Sequence, residues 1–237
     1  MNFESRQALL AFIANDTELA SLREHVIDGL SSDPGHDMGH IDRVALWTLK
    51  LGEGSVDPYE AVAAALLHDI VNVPKNSPHR SRASELCAAE ARRLLADSSR
   101  FDTLALERIT QAIVDHSYSR GAVPRSDLGR ALQDADRLDA VGAIGVARTL
   151  SIGARMGARY FHADDPWAIG RVRDDRAFTV DHFFEKLLTL HRTMCTEAGR
   201  REALRRTQWM RSFLEQLGDE IGQAPPLELL DAHVRPA

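Results

Sequence analysis

The sequence predicts an all-α fold on three observations. Nearly every periodic segment has helical spacing, with apolar residues recurring three and four positions apart. No run of alternating β-branched residues is long enough to argue for a sheet. The segment boundaries carry helix-capping residues and helix-ending glycines and prolines. There is no internal repeat and no low-complexity stretch, so the 237 residues are expected to form one domain through about residue 222, followed by a tail.

The elements follow in order. Helices are predicted at about 4–14 and 17–31, then at 40–53, closed by Gly52 and Gly54. Asp57 followed by Pro58 is an N-cap with proline at the first helical position and starts a helix at 57–70. That helix is almost wholly apolar and ends in an adjacent His68-Asp69 pair, which hydrophobic burial alone would not put there. Its small residues Ala61, Ala64 and Ala65 let another helix approach closely. Pro74, Asn76 and Pro78 force a loop directly after the pair. Helices follow at about 80–97 and 102–118, the second ended by Gly121 and Pro124, then at 127–139 and 141–158. Residues 160–178 are polar, contain glycine and proline, and are too long for a mere connection, which suggests a lid, a binding loop or disorder. A last helical pair is predicted at about 181–196 and 199–222. In its second member Ala203, Met210, Leu214, Leu217 and Ile221 form one stripe that docks on the core or on a second subunit, so a homodimer is a possible assembly. The proline-containing stretch from Gln223 is expected to be loosely held.

Composition narrows the function. With 44% hydrophobic and 27% charged residues the profile is that of a soluble globular protein, and a formal net charge of −6 gives no electrostatic footprint for duplex nucleic acid. Cys87 and Cys195 make neither a disulfide framework nor a C-x-x-C motif. The N-terminal stretch lacks a basic region followed by a long apolar one, and no uncharged apolar run approaches the ~20 residues of a membrane span. A cytoplasmic protein with no membrane partner is expected.

Four helices each aim an imidazole or carboxylate inward. His40 heads a stripe continued by Val44, Trp47 and Leu51; His116 follows Ile109, Ala112 and Ile113; Asp136 lies between Leu132 and Ala140 at helical spacing. Each has a plain explanation alone, as a satisfied core histidine or a salt-bridge partner. Together with His68-Asp69 they are most cheaply satisfied by convergence, and a site of imidazoles and carboxylates, two of each leaving His116 aside, suits Mn²⁺, Fe²⁺, Co²⁺, Ni²⁺ or Mg²⁺ rather than a thiolate zinc site.

The order His40, then His68-Asp69, then Asp136 resembles the HD superfamily of metal-dependent phosphohydrolases. HDMGHIDRV, LLHDIVNVPK, DHS and QDADRLDAVGAIGVAR extend the likeness over roughly residues 30–150. The resemblance implies an HD-domain helical bundle with additional C-terminal helices, one divalent metal ion held by His40, His68, Asp69 and Asp136, and hydrolysis of a phosphate ester or anhydride of a small molecule, a nucleotide above all, by metal-activated water. Asp134, two residues before Asp136 and facing nearly the opposite way, is the rival ligand and otherwise a surface or supporting residue. Asp69 is further expected to orient the nucleophile. His116 is expected to contact substrate or act in acid–base chemistry, and Lys75 to face transition-state charge from the loop after the pair. Arg137, Arg80 and Arg82 are further cation candidates, Asp139 a candidate for a substrate hydroxyl, and His36 a candidate at the site entrance. Asp37 is read as an N-cap. The rivals are a cyclic-nucleotide or alarmone phosphodiesterase and a non-catalytic nucleotide-binding module.

Overall fold

A helix with no polar face must be covered on all sides, and the segment following Pro58 is such a helix. The computed structural model, which describes residues 3–29, 37–73, 77, 80–117 and 121–234, is all-α and covers it with other helices. In order the helices are α1 (Arg6–Ala14), α2 (Thr17–Gly29), α3 (Met38–Leu51), α4 (Pro58–Leu67), α5 (Ala83–Leu94), α6 (Thr103–Asp115), α7 (Asp127–Leu138), α8 (Gly142–Arg155), α9 (Thr179–Glu185), α10 (Glu197–Ile221) and α11 (Leu227–Val234). Among the described residues no strand forms, and Arg159 and Phe178 make an isolated bridge. No helix of the described residues is long and apolar enough to cross a membrane. The chain divides into two compact units, the boundary falling between Asp136 and Arg137, where the sequence suggests a single domain.

In the first unit Asp57 accepts hydrogen bonds from the Tyr59 and Glu60 amides (2.9 and 3.1 Å), starting α4 as its Asp-Pro pair predicts. Every residue of α4 from Glu60 to Leu67 is buried, and α2, α3, α5 and α6 surround it. Four alanines let those neighbours in, and the one buried charge, Glu60, is matched by Arg108 of α6. Asp42 of α3, fully buried, is gripped by Arg6 of α1 (2.7 Å) and Arg23 of α2 (3.2 Å), which ties the first three helices together.

In the second unit the stripe of α10 is buried at Ala203, Met210, Leu214 and Gly218 and packs on α8, α11 and the segment Leu187–Thr193. Two expectations are corrected here. The predicted helix 181–196 breaks at Lys186 (φ −138°) and continues as a 3₁₀ turn over Leu187–Thr193. There Thr189, His191 and Thr193 each bond the carbonyl three residues back (3.0, 3.0 and 2.7 Å), which favours the tighter winding. The tail expected to be loosely held contains α11, whose Leu230 and Val234 are buried and whose last carbonyls accept from Arg192. Pro225 and Pro226 immediately precede the helix start, a position that proline tolerates. The 160–178 loop is tied down by Arg171, which donates to both oxygens of the buried Asp181 (2.6 and 2.7 Å) and to the Asp165 carbonyl (3.1 Å).

Candidate metal centre

α4 ends at Leu67, so His68 is its C-cap and Asp69 stands just beyond it. The His68 ring turns back to donate from Nδ1 to the Ala65 carbonyl at 2.7 Å, which takes up one of the carbonyls a helix end leaves over and presents Nε2 outward as a lone pair. α6 repeats the device: His116 is its C-cap and donates from Nδ1 to the Ile113 carbonyl at 2.6 Å. His40 sits in the first turn of α3, where Asp37 caps the helix by accepting from the His40 amide at 2.8 Å, as read from the sequence. α7 supplies Asp136, with Leu132 and Ala135 buried beside it.

These side chains meet. His40, His68 and Asp136 each offer a ligand atom, and the three atoms lie within 4.8 Å of one another. His40 Nε2 is 3.6 Å from Asp136 Oδ1, and the His40 and His68 rings have centroids 5.4 Å apart. Asp69 bridges the next pair, with Oδ2 3.7 Å from His68 Nε2 and Oδ1 3.7 Å from His116 Nε2. The three imidazoles are buried, whereas the side chains of Asp69 and Asp136 are 35% and 30% exposed. The carboxylates therefore form the mouth of the site and the histidines its floor.

Two observations test whether a divalent cation fits. His68 Nε2 is fully buried and has no hydrogen-bond partner among the described residues, a costly state for a polar atom unless something binds it. Burial, reinforced by neighbouring imidazoles, also pushes the His68 pKa below its usual value, so the ring is neutral and its lone pair free near neutrality. Imidazole nitrogens and carboxylate oxygens converging from separate elements match the donor set of a hard or borderline divalent ion. For His116 burial acts downward, but the carboxylate of Asp69, aided by Asp136, outweighs it and raises the pKa. At 3.7 Å this attraction is electrostatic rather than a short hydrogen bond.

The remaining candidates divide. Arg80 donates to the Val73 carbonyl (2.8 Å) and Arg82 to Glu85 (3.1 Å), so the first steadies the loop after the His-Asp pair and the second a helix surface. Arg137 donates to the Thr193 carbonyl, and Asp139 is buried against Arg148 (2.8 Å). Asp134 is fully buried rather than at the surface. Lys75 and His36 lie outside the described residues. The sequence reading missed Cys87: its buried thiol, raised to about 12 by burial, lies 3.4 Å from the Val71 amide that donates to it, two residues past Asp69. A lone cysteine among alanines on α5 carries no local signal of that role.

The HD domain profile matches residues 37–141. The uncharacterized protein YpgQ of Bacillus subtilis is 32% identical over 200 residues, covering 79% of this chain and 85% of YpgQ. Its crystal structure in complex with ADP superposes with a TM-score of 0.64 and 28% identity, over 86% of this chain and 97% of that one. A Bacillus thuringiensis HD-superfamily hydrolase gives a TM-score of 0.65 at 28% identity, over 87% and 99%.

Proposed function

Since the chain belongs to the HD-domain family, whose solved relatives include HD-superfamily hydrolases, we propose that it is a metal-dependent phosphohydrolase acting on a nucleotide. The observation that carries this is the unpartnered, buried Nε2 of His68 beside His40 and Asp136. The proposed ligands of one divalent ion are His40, His68, Asp69 and Asp136. Bound there, such an ion lowers the pKa of a coordinated water and polarises a phosphoryl oxygen. The nucleotide class is supported by the relative crystallised with ADP.

The chain's own residues have distinct parts in this reading. The Ala65 carbonyl holds His68 in the tautomer that exposes Nε2. Asp69, at the mouth of the site, would orient the attacking water. His116, whose proton affinity Asp69 raises, donates from Nε2 to a phosphoryl or leaving oxygen. Lys75, six positions after Asp69 in the chain, adds positive charge.

The test is metal analysis of purified protein together with a screen for phosphate and pyrophosphate release over nucleotides, on wild type and Asp69→Ala. About one ion per chain and turnover lost in the variant are expected. Turnover that survives Asp69→Ala overturns the assignment, and two ions per chain overturn the mononuclear site.

A further inference from the structure

A buried helix end leaves carbonyls that must find donors, and at the end of α6 the donor comes from α7. α6 stops at Asp115, directly before His116. Gln133 Nε2 donates to the Asp115 carbonyl at 2.8 Å and to the Ala122 carbonyl at 3.1 Å. The Gln133 side chain is buried, 1% exposed. Turning the amide over would set its oxygen against two carbonyl oxygens, so the donor orientation is the only one these partners allow. Gln133 lies on α7 one turn before Asp136. A single amide thus holds the chain on both sides of His116 to the helix that carries Asp136.

We propose that Gln133 is a positioning residue for His116: its amide clamps the Asp115 and Ala122 carbonyls to α7 and thereby sets the His116 imidazole against Asp69. The inference rests on the reading of His116 given above. It predicts that the clamp acts through one ring and not through the ion. In Gln133→Leu, which has no donor, kcat falls about 10- to 100-fold, the loss typical of removing a residue that orients a catalytic group, and in Gln133→Glu, which can hold at most one of the two carbonyls and only when protonated, it falls in the same direction. KM and bound metal stay within about twofold.

A double-mutant cycle decides whether the effect runs through His116. Gln133→Leu added to His116→Ala is expected to cost nothing further. Losses that multiply independently, or bound metal falling in step with kcat, overturn the proposal. Should Gln133→Leu not fold, Gln133→Asn, which keeps the amide but falls one methylene short, takes its place in the same measurements. The arm that needs no turnover is the NMR signal of the imidazole Cε1–H protons with Mg²⁺ present. His116 is expected to shift in the Gln133 variant, while the buried His191 of the other unit stays put. An unmoved His116 signal overturns the clamp even when no substrate turns over, whereas a shifted one without turnover faults the reaction and upholds the clamp.

Discussion

The rings of His68 and His116 meet edge to face with centroids 5.2 Å apart, yet their proton affinities move in opposite directions. Both face Asp69 through Nε2 at 3.7 Å, but for His68 burial, aided by the imidazoles of His116 and His40, outweighs the carboxylates, while for His116 the carboxylates of Asp69 and Asp136 outweigh burial. The two rings share one carboxylate, and the balance of burial against charge at each decides the direction of its shift.

The opposed shifts give a pH signature in the metal-free protein. Both rings titrate near 6.5 when unfolded. His116, raised on folding, contributes stability that is present below 6.5 and lost as pH rises through its folded value. His68, lowered on folding, costs nothing above 6.5, and stability is lost as pH falls below that value, where the unfolded state takes up the proton. Urea midpoints measured against pH in chelator are expected to show His116→Asn flattening the alkaline side and His68→Asn the acid side.

Metal loading should be visible without any assay of turnover. At a hundredfold excess over Kd a ligand that binds only the folded state adds about 2.7 kcal/mol, which in a chain of this size raises Tm by roughly 5–10 °C. Thermal scans with and without Mn²⁺ are expected to show that shift in wild type and to lose most of it in Asp136→Ala.

Asp42 anchors α1 and α2 to the helix that carries His40. Its carboxylate is fully buried, whereas Arg6 and Arg23 keep part of their surface in water, so removing the acid strands neither base completely. Asp42→Ala is expected to cost about 2 kcal/mol, toward the lower end for a buried charged network. The urea midpoint should fall at constant m-value, with hydrogen exchange quickened first in α1 and α2.

Ala168, inside the 160–178 loop, has φ +52°. A left-handed backbone costs alanine about 1–2 kcal/mol, of which glycine's extra chain entropy takes back about 0.5–1 kcal/mol. Ala168→Gly is therefore expected to stabilise by about 0.5 kcal/mol, a small rise in Tm.

At Gly153 of α8 a Cβ would collide with Thr179 Oγ1, at the start of α9. Gly153→Ala must push the helices apart or turn the threonine, at a cost of about 1–3 kcal/mol. Gly153→Ala combined with Thr179→Ser, which removes the methyl but not the hydroxyl, should recover only a part of the loss in urea unfolding.

Local chemistry is what the sequence by itself determined. Helical period, the Asp57-Pro58 start, the Asp37 cap and the placement of His68-Asp69 at a helix end depend on residues within a few positions of one another, and the folded chain keeps them. The breaks it concealed were of another kind. Leu187–Thr193 winds tighter because side chains compete for its carbonyls, and α11 forms because its apolar face finds cover, neither of which a linear pattern reveals. Tertiary structure alone decided which polar atoms meet. Asp134 and Asp136 are two residues apart, yet only the packing of α7 against its neighbours buries the first and brings the second within 3.6 Å of His40. The same packing sets Asp69 between two imidazoles and gives them opposite proton affinities, because burial and charge at a point depend on every helix that reaches it and not on the order of residues along one.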